Sequence, residues 1–575
     1  MRKEIGFKLS VAYIVLTTLF GLVPDTFVNY GYDYYQFLNI AWLSIPLLLL
    51  SFLWLLKKYD LDWSPRVQVI VIWTAVAILP VVFWYFRTKV HCFGGDGAVG
   101  TVVSADFSIK DWLPPLPGKG RLDGYGAGFV AKCCRRLGVF DNSTVLTSIL
   151  STQIYAVVMG CLFVSMAVVA FRNHKSVFAI LISAPFIFNF FGNVDNYTFS
   201  LTMGLMFLIV ASKVWSVEII RFWQLLVLGV MWGIGMWTHP FHVFDGFVIS
   251  YLFLRWLKSR WGKIANVSEW YAPAAFGLML FTAIKVSQNG NHWFLWEVAK
   301  VPPTFSVDTF THYLNMFVLP SLPLLVVSAI EHRDKTEFRS VLAMFGGASA
   351  CFMTMAFTIG AVDQFNYQHL LFFFLMPLIL MVLKYGVSRY AAIAVVICQL
   401  SLLLPMIAVH STDRTIERAE SLYPLDPCQH NRCMSWQTHL GLCLGDNLQD
   451  NQNVKKALLR TFMNGARRAE LVGFRGGNYI YHTAFLYHFG EFEQGRNQLY
   501  QLIRQNPNVI SWLLGDRPGF IYCNRKRLWA DIEAFLVANN SPMLAEYRKA
   551  ISNLSKKCVE HPYYLKRPEY AVTDY

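Results

Sequence analysis

The sequence predicts an all-α membrane protein that crosses the bilayer about thirteen times and carries a helical domain at its C-terminal end. Three observations support this fold class. First, 55% of the 575 residues are hydrophobic and only 15% are charged, whereas a soluble protein has roughly a quarter of its residues charged. Second, apolar runs recur as far as residue 408. Third, the composition after residue 409 becomes mixed and polar.

The apolar runs define the first predicted domain, residues 1–409. Most have roughly 17 to 25 residues, the length that a helix needs to cross the hydrocarbon core. The first run follows Met1-Arg2-Lys3, but no small-residue cleavage site comes after it, so we expect a retained helix. The predicted runs are 8–24, 37–56, 67–86, 147–171, 176–192, 197–214, 222–238, 242–257, 268–285, 312–330, 340–360, 368–384 and 389–408.

The short loops predict the orientation, because Lys and Arg favour the cytoplasmic side of a membrane. If the runs alternate in direction, the basic loops share one side, and the polar turns and the tail lie on the other, extracytoplasmic side. The formal charge of +14 is spread over these loops rather than gathered on one domain. We therefore expect no nucleic-acid partner.

The largest predicted outer loop, residues 87–146, centres on Asp96, which stands among glycines soon after an apolar run. Further along, Lys132, Arg135 and Arg136 alternate with apolar residues such as Phe129. This pattern predicts a short amphipathic helix over residues 125–137 that lies in the membrane interface. A carboxylate and basic side chains near lipid headgroups suggest chemistry on a lipid-linked phosphate.

Three other polar turns fall on the same predicted side. They contain Asp195, the pair His239 and His242 on either side of a proline, and the stretch from Asp363 to His369. Ionisable residues at the ends of apolar spans are costly unless they face a polar cavity. The sequence therefore predicts one shared, outward-facing pocket.

These turns, in this order, resemble the GT-C superfamily of polytopic glycosyltransferases, and in particular its bacterial branch. The resemblance covers residues 67–385 and rests on the loop Asp96, the Phe190–Tyr197 turn, the Thr238-His239-Pro240 turn and the late Asp363–His369 turn. Two features depart from the family pattern. Residue 195 is Asp where Glu is expected, and two apolar runs precede the one that leads to Asp96.

The resemblance implies a glycosyltransferase of the bacterial inner membrane, with its active site and C-terminal domain outside the cytoplasm. It would transfer a sugar from a polyprenyl-phosphate donor to a glycan, lipid or protein acceptor. Asp96 would be the general base, and Asp195 a second catalytic carboxylate. Asp363 and His369 would bind substrate. The donor phosphate would be bound by Arg121, Arg135, Arg136, His239 and His242, with Lys119, Lys285 and Lys300 behind them.

Each of these residues also has a structural interpretation. Asp96 could form a glycine-rich turn, and Asp195 could cap a helix. The two histidines could be interfacial hydrogen-bonding residues, and Arg135 with Arg136 could anchor lipid headgroups. Asp96 and Asp195 could hold a divalent cation such as Mg or Mn, but the sequence assigns no metal site.

The second predicted domain, residues 410–575, resembles a tetratricopeptide-like helical domain. Residues 484–507 match one helical hairpin, and 453–472 and 527–555 have amphipathic helical patterns. Such a domain could hold an acceptor glycan or an envelope-assembly protein, or it could be a plain lid. A disulfide from Cys428 to Cys433 or Cys443 is an open alternative.

Two other function classes compete with the glycosyltransferase. An O-antigen-ligase-like or polysaccharide-polymerase-like enzyme also joins many spans to a tetratricopeptide-like tail, and would be expected to use an outer Arg and His instead of a loop Asp. A lipid or glycan transporter would perform no covalent chemistry. Against a transporter, the sequence has no internal repeats and no paired broken spans. The chain also lacks a phosphate-binding Gly-Lys-Ser/Thr motif, so nucleotide-driven transport is not expected.

Overall fold

The protein is described here by a computed structural model. It describes residues 2–22, 44–59, 65–87, 121–137, 144–192, 197–288, 313–359, 370–411, 486–487, 491–505 and 526–560. All regular elements in these ranges are helical, and no strand occurs among them, so the predicted all-α class is confirmed. The chain divides into two compact units. The first comprises 1–88, 113–123 and 153–412, and the second comprises 89–112, 124–152 and 413–575.

The described helices overlap the predicted apolar runs, but several of their bounds differ. In chain order they are α1 (Arg2–Leu22), α2 (Ser44–Tyr59), α3 (Pro65–Tyr85), α4 (Arg121–Arg136), α5 (Thr144–Phe171), α6 (Lys175–Ser183), α7 (Thr198–Ser216), α8 (Phe222–Thr238), α9 (Asp245–Arg260), α10 (Tyr271–Gln288), α11 (Leu319–His332), α12 (Thr336–Ile359), α13 (Leu370–Tyr385), α14 (Arg389–His410), α15 (Phe492–Gln505), α16 (Lys526–Ala538) and α17 (Leu544–Glu560). Three 3-10 turns, Pro185–Phe190, Pro240–Phe244 and Gly262–Ile264, follow α6, α8 and α9. A short π-helix, Leu314–Val318, precedes α11.

Three helical segments in the described ranges are long and apolar enough to cross a membrane: Leu150–Phe171, Thr198–Ser216 and Arg389–Val409. They lie in α5, α7 and α14. Shorter apolar helices occur in seven other places, among them Phe222–Thr238 and Leu370–Tyr385. These segments indicate a helical membrane protein. That about thirteen helices cross the bilayer stays a prediction.

The predicted run 176–192 is not one continuous helix. Helix α6 ends at Ser183, Ala184 is extended with ψ of 142°, and Pro185 begins a 3-10 turn. The break follows from the proline, because its ring disfavours α-helical geometry at the residue before it. The predicted run 242–257 also begins earlier than the helix that it contains. Pro240 starts a 3-10 turn, and α9 begins only at Asp245.

Helix α13 is the buried centre of the first unit. Every residue from Leu370 to Leu383 is buried, as expected for a helix that is apolar on all sides. It packs against α7, α11 and α12. Its Phe372 ring lies 5.2 Å from the Phe186 ring. A Cβ on Gly204 of α7 would lie 2.8 Å from the Phe372 ring, so glycine at this position leaves room for that ring. The segment that carries Asp363 and His369 therefore leads directly into the core.

Charged side chains tie the helices together where α7, α9 and α13 end, a region that we call the basic end. The Arg255 guanidinium donates to the carbonyl oxygens of Trp215 and Val217, at 3.0 and 2.9 Å. These carbonyls lie at the end of α7, where the last carbonyl groups have no backbone N–H partner within the helix. Lys258 pairs with Glu269 at 2.8 Å, and Lys384 pairs with Glu337 at 2.6 Å.

The described part of the second unit includes helices α4, α15, α16 and α17. Of the predicted interfacial segment 125–137, residues 125–136 are helical and lie in α4. The predicted helical stretch 527–555 is also confirmed, but it is divided into α16 and α17. The division lies at Asn540, whose φ of 45° ends the helical path. Helix α16 packs against both α15 and α17, and the Tyr487 hydroxyl donates a hydrogen bond to Asp531 of α16.

Candidate functional site

The candidate site lies where α3 and α8 end and α7 and α13 begin, a region that we call the polar-turn end. Four of its described residues border the predicted polar turns. Arg87 precedes the loop that holds Asp96, Gly192 and Tyr197 flank Asp195, and Leu370 follows His369. Asp96, Asp195, Asp363 and His369 themselves lie outside the described residues.

The starts of two of these turns lie side by side. Gly192 follows the 3-10 turn Pro185–Phe190 by two residues and has φ of +63°, a conformation that glycine adopts without strain. A Cβ on Gly192 would lie only 2.9 Å from the Cβ of Arg87. Beneath them, the rings of Phe83 and Phe191 make an edge-to-face contact at 4.8 Å. The chains leading toward Asp96 and Asp195 therefore leave the helices next to each other.

His239 marks the end of α8. Because Pro240 follows it, His239 is extended, with φ of −155° and ψ of 135°, and the helix stops at Thr238. Its Nδ1 accepts a hydrogen bond from the Phe241 N–H at 3.3 Å. The Tyr197 ring packs edge-on against its imidazole at 5.1 Å, and 7% of His239 is exposed. His239 therefore lies beside the residue that follows the Asp195 turn.

His242 forms the centre of a buried hydrogen-bonded cluster. Its Nδ1 lies 2.7 Å from Asp245 Oδ2, and its Nε2 lies 3.1 Å from Ser200 Oγ. Nε2 is also 3.2 Å from the Ser200 carbonyl oxygen. The Trp232 indole donates to the His242 carbonyl oxygen at 2.8 Å. These contacts join α7, α8, the 3-10 turn and α9, so both ring nitrogens of His242 face the protein.

The packing around His242 leaves little free space. A Cβ on Gly235 would lie 2.6 Å from His242 Nδ1, so only glycine lets α8 pass this close to the ring. On another side, the Phe373 ring of α13 packs edge-on against the imidazole at 5.0 Å. Asp245 Oδ1 is buried and has no hydrogen-bond partner among the described residues. A buried acceptor without a partner is costly, which makes this carboxylate an unusual feature of the region.

The cluster of Ser200, His242 and Asp245 has the connectivity of a Ser-His-Asp triad, in which His acts as base toward the Ser hydroxyl. Each of the three residues is only 1% exposed. A substrate carbonyl must reach the Ser hydroxyl for nucleophilic catalysis, and the packing of the described residues leaves this hydroxyl buried. The cluster instead holds His242 in one orientation and supports the turn that begins at His239.

The predicted cationic residues are distributed differently. Arg121, Arg135 and Arg136 lie on α4, and the Arg136 side chain is exposed. Lys285 is in α10, and Lys119 and Lys300 lie outside the described residues, as do Cys428, Cys433 and Cys443. Within the described ranges, no group of three or more His, Cys, Asp or Glu side chains is placed to hold a metal ion.

Ser200 and Asp245 were not among the residues that the sequence singled out. Asp245 follows His242 by three positions, a spacing at which helical side chains meet, so a local signal for this pair existed. Ser200 lies on another helix, and nothing in the sequence connects it to His242. No protein-family model, curated protein or solved structure matches the chain. No relative therefore assigns a role to any of these residues.

Proposed function

We propose that the chain is a GT-C-like membrane glycosyltransferase whose active site lies at the polar-turn end. It would transfer a sugar from a polyprenyl-phosphate donor to an acceptor hydroxyl outside the cytoplasm. Asp96 is the general base in this proposal, and Asp195 is the second carboxylate. Asp363 and His369 would contact the acceptor or the sugar.

The observation that carries the proposal is the proximity of residues bordering separate polar turns. Gly192, three positions before Asp195, approaches Arg87. Tyr197, two positions after Asp195, packs on His239. The ring of Phe373, near the start of α13, packs on His242. Turns that are far apart in sequence therefore begin or end within one region, as a shared pocket requires.

The proposed reaction is a displacement at the anomeric carbon. The acceptor oxygen attacks this carbon and gives its proton to the Asp96 carboxylate, while the bond from the carbon to the phosphate oxygen breaks. The leaving group is the polyprenyl phosphate, which keeps the electron pair. Attack opposite the leaving group inverts the anomeric configuration. Negative charge grows on the phosphate as the bond breaks, so nearby cations would lower the barrier.

His239 is the described residue best placed to act on a ligand in this region. It borders the Asp195 turn, whereas His242 has both nitrogens directed at Asp245 and Ser200. His242 would therefore act as a positioning residue that fixes the turn carrying His239. Arg121, Arg135 and Arg136 are the proposed phosphate-binding arginines, because a guanidinium matches a phosphate with two parallel hydrogen bonds.

We also propose a location for the polar-turn end and a role for the C-terminal domain. The polar-turn end would face the outside of a bacterial inner membrane, in line with the distribution of Lys and Arg. Residues 410–575 would form a tetratricopeptide-like domain that binds the acceptor or an envelope-assembly protein. Supporting this, Gly495 at the start of α15 lets the Tyr487 ring approach closely, since a Cβ there would lie 2.9 Å from the ring. Such close packing is typical of small-residue helical hairpins.

The test is sugar transfer in membranes that contain the wild type or Asp96→Asn. Removal of a general base lowers the rate by about 10²- to 10⁴-fold, so we expect a loss of at least about a hundredfold. Binding of the polyprenyl-phosphate donor should persist, because the substitution removes no cation. The matched control is Asp334→Asn, whose carboxylate is 93% exposed and lies between α11 and α12.

Two of three possible results would count against the proposal, and the other would invalidate the assay. Unchanged transfer in Asp96→Asn would remove Asp96 from the chemistry and favour the ligase-like enzyme that uses Arg and His. An equal loss in Asp334→Asn would mean that the assay reports folding or insertion. No transfer in any wild-type preparation, together with movement of lipid between leaflets, would favour the transporter.

A further inference from the structure

A groove at the basic end lies between the C-terminal parts of α5 and α7. Its volume is about 910 Å³, within the usual range for ligand pockets. Its lining includes the basic side chains of Arg172, His174 and Lys213 and the apolar side chains of Met166, Val169 and Ile209. All of these residues belong to the first unit. The groove is at the opposite helix ends from His239, so the proposed glycosyl transfer does not use it.

The mouth of the groove is positively charged. Arg172, His174 and Lys213 line it, and none of the described lining residues is acidic. Within the described part of the chain, neither Arg172 nor Lys213 makes an ion pair. By contrast, Lys258 and Lys384 at the same end are paired with Glu269 and Glu337. Two cations that have no carboxylate partner among the described residues, both beside one groove, favour the binding of an anion.

Much of the wall of the groove is apolar, although Ser165, Ser212 and Ser216 also line it, and its apolar part continues onto the exposed surface at Val169. Met166 and Ile209 are partly buried in this wall, and Val169 is 69% exposed. Two of the helical segments long enough to cross a membrane, Leu150–Phe171 and Thr198–Ser216, end beside this groove. A bilayer crossed by these two helices would place its headgroups at the level of Arg172 and Lys213.

We infer that this groove binds an anionic phospholipid. The lipid phosphate contacts Arg172 and Lys213, with His174 at the rim, and one acyl chain lies along Val169, Met166 and Ile209. Basic pockets between membrane helices bind anionic headgroups because each Lys or Arg near the surface contributes favourably. The apolar wall distinguishes this occupant from a free anion, which would leave that wall exposed to water. A zwitterionic lipid would fit the wall but gain less from the cations.

The test measures lipid retention by native mass spectrometry of the full chain released from detergent. Phosphatidylglycerol and phosphatidylcholine with identical acyl chains are titrated separately into delipidated protein. We expect the wild type to prefer phosphatidylglycerol at one site by about tenfold or more, the effect of one or two surface cations. In the double variant R172Q/K213Q, the ratio of the affinities for phosphatidylglycerol and phosphatidylcholine should fall to near one. The matched control is R260Q/K263Q, which removes two exposed cations outside the groove.

A second arm separates a lipid from a free anion. Inorganic phosphate at a concentration well above that of the lipid should not displace phosphatidylglycerol, because it cannot occupy the apolar wall. If phosphate displaces the lipid, and the protein shows no preference between the two lipids, then the occupant of the groove is a soluble anion and not a lipid. Unchanged lipid preference in R172Q/K213Q would overturn the site itself. Gel filtration and circular dichroism check that both double variants are folded. If R172Q/K213Q does not fold, the single variants R172Q and K213Q are tested in its place.

Discussion

The imidazole of His242 and the carboxylate of Asp245 are hydrogen-bonded at 2.7 Å, and each side chain is only 1% exposed. A carboxylate removed from water loses its hydration, so its stability there depends on the partner that remains. His242 is that partner, and it also contacts Ser200 on α7. The pair thus links the local turn after α8 to a neighbouring helix. This makes it the structural support of the candidate site.

Loss of His242 should therefore destabilise the protein more than loss of the Asp245 charge. His242→Leu leaves the Asp245 carboxylate buried without this partner, which costs about 3–5 kcal/mol. Asp245→Asn keeps an amide oxygen that accepts from His242 Nδ1–H, so its cost should be nearer to about 1 kcal/mol. Thermal and denaturant unfolding of both variants in the same detergent measures the difference. Equal losses of stability would contradict the role of His242 as the partner of a buried carboxylate.

Ser200 should be dispensable for chemistry. Because its hydroxyl is buried and only completes the hydrogen bonding of His242, Ser200→Ala should lower the rate of sugar transfer by less than about tenfold and lower stability by about 1 kcal/mol. Removing a true nucleophilic serine costs far more, about 10⁶-fold in one well-studied protease. Transfer assays with purified Ser200→Ala measure the rate. A loss of the larger kind would make Ser200 a nucleophile and would overturn its supporting role.

Two glycines on α8 give a matched test of the packing at His242. A Cβ on Gly235 would lie 2.6 Å from His242 Nδ1, whereas nothing lies within 4 Å of a Cβ on Gly233. Gly235→Ala must therefore displace a side chain held by two hydrogen bonds, at a cost of about 1–3 kcal/mol. Gly233→Ala should be neutral or stabilise the helix by up to about 1 kcal/mol. Unfolding of the two variants side by side checks this, and a tolerated Gly235→Ala would show that the His242 contact is not tight.

The sequence predicted the helices well because long apolar runs are a strong signal of single elements. It failed at Pro185, where the apolar character continues but the helix does not. It identified His239 and His242 by the proline between them. It did not identify Ser200, because the contact with His242 depends on how α7 packs on α8, and residues on separate helices carry no shared periodicity. The division of residues 527–555 could have been read from the local sequence around Asn540.

Asn540 should accept glycine but not a β-branched residue. Its φ of 45° lies in the left-handed region, which Asn and Gly visit readily and branched side chains avoid. The Ser541 N–H also donates to the Leu536 carbonyl oxygen at 2.9 Å, a contact typical of helix ends of this type. Asn540→Gly should leave stability within about 0.5 kcal/mol, whereas Asn540→Val should lower it by about 1–2 kcal/mol. Limited proteolysis of the full chain at the junction of α16 and α17 would detect this, and equal cleavage of both variants would contradict it.

Glu337 should make the basic end sensitive to acid. Burial alone would raise the pKa of Glu337, but hydrogen bonds from Lys384 and Tyr385 outweigh it and lower the pKa from 4.5 to about 2. A lowered carboxyl pKa stabilises the fold above the unfolded value, and this contribution is lost as the pH falls through the folded value. The contribution, roughly 3 kcal/mol, should therefore be complete above about pH 5 and should disappear toward pH 2.

The measurement is the pH dependence of unfolding for the wild type and Glu337→Gln in one detergent. The variant should be less stable at pH 7, because Lys384 then lacks its carboxylate partner. The difference between the two proteins should shrink steadily as the pH falls from 4.5 to 2, because the wild type then loses the same charge. Glu218→Gln, a change of an exposed carboxylate at the same end, is the control and should show no such convergence. A difference that stays constant over this pH range would mean that Glu337 stabilises the fold through packing rather than through its charge.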